Sequence, residues 1–89
     1  MELEEAALLG DDVKKLLGGK IGDYLIKRAT DEMEVGLREL RTVDSTDSHA
    51  ILTIQLRIEQ REKFLVWLGD AVHEGENALQ TLALMESED

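Results

Sequence analysis

The chain contains no cysteine, no proline and only three aromatic residues, Tyr24, Phe64 and Trp67. Without cysteine it can form neither a disulfide nor a thiolate metal site. A chain of 89 residues must then draw its stability from well-packed helices or from partner chains. Without proline nothing in the sequence forces a helix to stop, so long helices are permitted. So few aromatics argue against a sheet sandwich, which relies on aromatic and β-branched residues. No apolar run approaches the ~18 residues of a membrane span, and Met1-Glu2-Leu3-Glu4-Glu5 is acidic where a secretory signal would be basic. The expectation is a chain without a membrane partner, located in the cytoplasm or within a particle assembled there.

Positive charge is also scarce. Twenty acidic against ten basic residues give a formal charge of −10, which opposes direct binding to nucleic acid or to an anionic membrane. The imbalance sits at the ends. Residues 1–12 hold five acids and no base, residues 64–89 hold six acids and no base, and the stretch between holds ten bases and nine acids. A balanced middle of this kind suits helices laced by opposite charges.

What is abundant is alanine, leucine, glutamate, lysine and arginine, all strong helix formers. The expected fold class is all-α: an antiparallel helical hairpin with one very long C-terminal helix, preceded by a short N-terminal helical segment, and oligomeric. The organisation expected is an acidic helical segment over 1–18, the hairpin over 19–86 with helices at about 20–42 and 45–85, and a disordered acidic tail over 87–89. In the first segment Leu9, Val13, Leu16 and Leu17 recur at helical spacing until Gly18-Gly19, a C-cap and hinge. In the second, Ile21, Leu25, Ala29, Met33, Leu37 and Leu40 form one apolar stripe. The polar link Val43-Asp44-Ser45-Thr46-Asp47-Ser48 then offers Asp44 or Ser45 as an N-cap, with Asp47 in the first turn facing the positive end of the helix dipole.

The third segment has the strongest periodicity. Ile51, Ile54, Ile58, Arg61, Leu65, Leu68, Val72, Gly75, Leu79 and Leu82 follow alternating steps of three and four, a heptad seam. An alternating strand reading of Leu52, Ile54, Leu56 and Ile58 fails because Glu59-Gln60-Arg61-Glu62-Lys63 follows without a turn residue. Folding the second segment back on the third makes Ile21, Leu25, Met33, Leu37, Leu40, Ile51, Ile54, Ile58, Leu65, Leu68 and Val72 the expected hairpin core. The second helix is about half as long as the third, so the stretch with Val72, Leu79 and Leu82 overhangs it and is open to cover by the first segment.

Leu52, Leu56, Phe64, Val66, Trp67 and Ala71 lie off the seam. A solvated helix would carry charges there, so Leu52, Leu56, Phe64, Trp67 and Ala71 are the candidate interface, with Trp67 as its anchor. Arg61, on the seam, is expected to pair with a carboxylate.

Chemistry is hard to find. Asp70, His73 and Glu74 fall within one turn, but a carboxylate metal site needs further inward glutamates, and an exposed histidine on an acidic face is the simpler reading. Gly18-Gly19-Lys20 lacks the remaining elements of a phosphate loop, and no serine has the strand-turn-helix setting of a nucleophile. No catalytic, cofactor or metal residue is assigned. A non-enzymatic module that self-associates or docks on a larger protein assembly is expected. Short, acidic, cysteine-free helical chains are common among virus-encoded assembly components, a compositional analogy. The alternative is an acidic mimic of nucleic acid that inhibits a nucleic-acid-binding enzyme.

Overall fold

The computed structural model describes residues 2–87 and contains three α-helices, α1 (Leu3–Leu17), α2 (Lys20–Thr42) and α3 (Ser48–Ser87). No strand occurs among the described residues. Helix α3 runs for 40 residues without a break in its helical assignment. Ser87, expected in the tail, closes it by donating its hydroxyl to the Leu84 carbonyl at 2.9 Å. Glu88 and Asp89, the rest of that expected tail, lie outside the described residues.

Local chemistry sets the helix ends. Glu4 and Glu5 sit in the first turn of α1 and Lys14 and Lys15 in its last, each charge opposing the end of the dipole it faces. Gly18 ends α1 with φ −82°, so the glycine pair serves no left-handed cap. Small size is what is used: a Cβ on Gly22 would strike the Leu16 carbonyl, so α2 can begin against the end of α1 only with glycine there. At α3 the N-cap is Asp47, not Asp44 or Ser45. Its carboxylate accepts the Ala50 amide at 3.0 Å. Asp44 is spent on the link itself, accepting the Thr46 amide at 2.9 Å and the Thr46 hydroxyl at 2.7 Å.

The chain groups into two compact units, Met1–Asp23 with Trp67–Asp89, and Tyr24–Val66. In the first, α1 lies antiparallel to the C-terminal part of α3. Leu3 shares a groove with Leu82 and Met85, and Lys14 pairs with Glu76 at 3.6 Å. Between these points the backbones nearly touch. A Cβ on Gly10 would stand 2.6 Å from the Gly75 Cα and 2.9 Å from the Ala71 carbonyl, and a Cβ on Gly75 would stand 2.7 Å from the Gly10 Cα. Ala7 and Ala78 are buried, and Val72 is half-buried, so α1 covers the overhang. Leu79, expected on the seam, is exposed, and Ala78 is buried in its place. Helices this close admit only small side chains at their crossing.

In the second unit α2 is antiparallel to the N-terminal part of α3. Glu39 pairs with Arg57, Gly36 lies under Ile58, and Glu32 pairs with Arg61, the order of a hairpin. Ala29 and Ile54 are buried, and Leu25, Met33, Leu40, Ile51, Ile58 and Leu65 are half-buried. Two members of the expected core are not in it. Leu37 is 51% exposed, because steps of four advance a stripe by about 40° each and carry it off the facing side; Gly36 takes the inward place. Ile21, in the first unit, is 66% exposed. It was expected near Leu65 and Leu68 of α3; both of those are half-buried, while Ile21 itself remains in water.

Two sets of substitutions test this packing by urea unfolding. Gly75→Ala forces overlap with the α1 backbone and is expected to destabilise by about 1–3 kcal/mol. Gly69→Ala, where an added Cβ meets nothing within 4 Å, is expected to stabilise by about 0.5–1 kcal/mol. The same sign for both would refute the crossing. Asp47→Ala is expected to cost about 1 kcal/mol as a lost cap, and Ser45→Ala close to nothing.

Candidate protein interaction surface

The inward faces explain which side chains are left outside. Viewed from α2, the side facing α3 is Ala29, Glu32, Gly36 and Glu39, an alternation of steps of three and four that mixes small and acidic residues. Glu32 and Glu39 are drawn into it because Arg61 and Arg57 stand on the facing side of α3. Arg61 thus meets a carboxylate as expected. Glu32 also accepts from Arg28 at 3.1 Å, and Arg28 in turn donates to the Tyr24 hydroxyl at 3.3 Å. The Arg61 guanidinium first, and that of Arg28 second, hold the Glu32 carboxyl below its ordinary value of 4.5. The inward-facing glutamates were overlooked in the apolar stripe; spacing from Ala29 in heptad steps was the signal that could have revealed them.

Because ion pairs and small residues fill the α2 contact, little large apolar surface is covered. Among the large apolar side chains only Ile54 is buried, and no side chain of the described residues is buried completely. Of the five candidate interface residues, Leu52, Leu56 and Trp67 are exposed, Trp67 by 66%. Val66 is exposed as well. The other two are partly taken by the chain itself. Phe64 is half-buried and borders a groove with Leu25 and Ala29 of α2. Ala71 is half-buried, with its carbonyl beneath Gly10 of α1. A covering helix reaches those two positions, which is why the off-seam set divides.

The apolar residues of α3 are distributed around the helix and not confined to one stripe. A helix apolar on several sides ordinarily has neighbours on several sides.

Comparisons with protein-family models, curated proteins and solved structures find no match to this chain. No helix among the described residues is long and apolar enough to cross a membrane. Among the same residues no group of three His, Cys, Asp or Glu side chains is placed to hold a metal ion. Asp70, His73 and Glu74 are all exposed, and the His73 ring lies 3.3 Å from the Asn77 amide nitrogen.

The Glu32 cluster has a pH signature. A carboxyl held below its ordinary value in the fold contributes stability above that ordinary value and loses it as pH falls through the folded one. The stability advantage of the natural chain over Glu32→Gln is therefore expected in full above about pH 5 and to shrink steadily below pH 4.5. Urea unfolding of both chains across that window measures it, and a gap that does not change with pH would refute the pairing.

Proposed function

We propose that this chain is a non-enzymatic helical interaction module that associates with itself, or docks on a larger protein assembly, through the exposed apolar side of α3. The observation that carries this reading is the contrast on one helix: Ile54 is buried, while Leu52, Leu56, Val66 and Trp67 stand in water. Exposed leucines occur singly on most monomers, but a large apolar surface on a small domain is characteristic of a binding surface. Trp67 offers the largest apolar area of the set, and buried aromatics concentrate the energy of protein interfaces.

A second reading is favoured by one feature of the packing. The unit formed by residues 1–23 and 67–89 contains twelve acids and three bases, because α1 brings the acidic start of the chain against the acidic C-terminal part of α3. A surface so dominated by carboxylates can imitate a nucleic-acid backbone and occupy the basic cleft of an enzyme. Association through apolar side chains and association through carboxylates respond differently to salt.

Sedimentation of the full chain across salt concentrations separates the two. The first reading expects a mass above 10.0 kDa that persists as salt rises, with Trp67→Ala and Leu56→Glu each weakening association by about tenfold or more. An unchanged mass in both variants would count against it. The second expects binding to polybasic partners that salt reverses.

A further inference from the structure

Helix α3 carries a second heptad-spaced line of residues besides the one that meets α2. Leu52, Leu56, Glu59, Lys63 and Val66 follow steps of four, three, four and three, and every one of them is exposed. At about 100° per residue they fall within an arc of about 80°, on the side of α3 opposite Ile54, Ile58 and Arg61. All five lie within the unit Tyr24–Val66.

Four of the five residues, Leu56 to Val66, match themselves when the line is reversed, and Leu52 lies beyond the matched stretch. About a two-fold axis through position 61, Leu56 of one helix meets Val66 of an antiparallel copy, and Glu59 meets Lys63. The same two contacts recur on the other side of the axis. An isologous interface has this property, with the residue that makes a contact on one copy receiving it on the other. A parallel copy in register would instead set Glu59 against Glu59 and Lys63 against Lys63. Charges flanking an apolar helical seam select orientation in this way.

Two observations favour a second copy as the occupant. Among the described residues neither Glu59 nor Lys63 takes part in an ion pair within 4.0 Å, although they stand four apart on one helix. Neither charge is spent on an ion pair among the described residues, so both can meet a complementary charge on a second copy. Residues 24–66 also hold eight acids and seven bases, so this part of the chain can approach its own copy with almost no net repulsion, whereas residues 1–23 and 67–89 hold twelve acids against three bases.

We infer that the occupant of this face is a second copy of the chain, docked antiparallel on α3 of the Tyr24–Val66 unit, with Leu56 on Val66 and Glu59 on Lys63 about a two-fold axis. The inference rests on the self-association reading above and specifies its partner and register. About three helical turns of contact form an interface at the small end of the specific range, below ~1,200 Å², so a dimer that dissociates on dilution is expected.

The test is charge reversal in the full chain, read as the dimer dissociation constant by sedimentation equilibrium, with circular dichroism confirming unchanged helix content. Glu59→Lys and Lys63→Glu are each expected to weaken the dimer about tenfold, since each creates two like-charge contacts, and the double variant is expected to restore it. One substitution raises the net charge and the other lowers it, so an effect of net charge alone would move them in opposite directions. A natural chain that associates but is indifferent to both single reversals, or that the double variant fails to restore, overturns this register and leaves self-association standing. A natural chain that is monomeric at every concentration overturns both.

Discussion

In each unit a single helix lies against α3, and one helix can cover only one stripe of another. That geometric limit governs the rest of the molecule. A 40-residue helix with apolar residues on several sides keeps part of them in water when each stretch has one neighbour. The core is correspondingly thin: among the described residues three of the four buried apolar side chains are Ala7, Ala29 and Ala78, and the fourth is Ile54.

The two contacts on α3 are built from different materials. Against α1 the contact is made of backbone and small side chains, Gly10 on Gly75 with Ala7 and Ala78 buried, so its strength lies in close van der Waals approach. Against α2 it combines Ile54 and Ile58 with the pairs Glu32–Arg61 and Glu39–Arg57. Those ion pairs are partly exposed and each adds little stability, but they fix which residues face each other along two helices whose apolar pattern alone would tolerate sliding. Both contacts leave large apolar side chains of α3 uncovered, and this is the basis for the proposal that α3 is a binding element.

Charge follows the same division. Packing α1 on the C-terminal part of α3 gathers acids from both ends of the chain into one unit, and leaves residues 24–66 nearly neutral. A chain with a formal charge of −10 thus holds most of its excess negative charge in one unit, and the other is nearly balanced.

The amino-acid sequence by itself determined where helices form. Glycine and short polar residues mark the breaks at 18–19 and 43–47, and elsewhere no proline occurs and single glycines are outweighed by strong helix formers, so the helices follow from local chemistry. It also indicated which apolar residues of α3 lie off the facing seam. Which of those stay exposed was a tertiary decision. Phe64 and Ala71 are partly covered because Leu25, Ala29 and Gly10 happen to reach them, while Leu52, Leu56 and Trp67 have no such neighbour. The inward turn of Gly36 in place of Leu37, and of Ala78 in place of Leu79, was equally illegible from hydrophobicity. How closely two backbones approach depends on both partners at once, and the closest approach selects the smallest side chain, not the most apolar one.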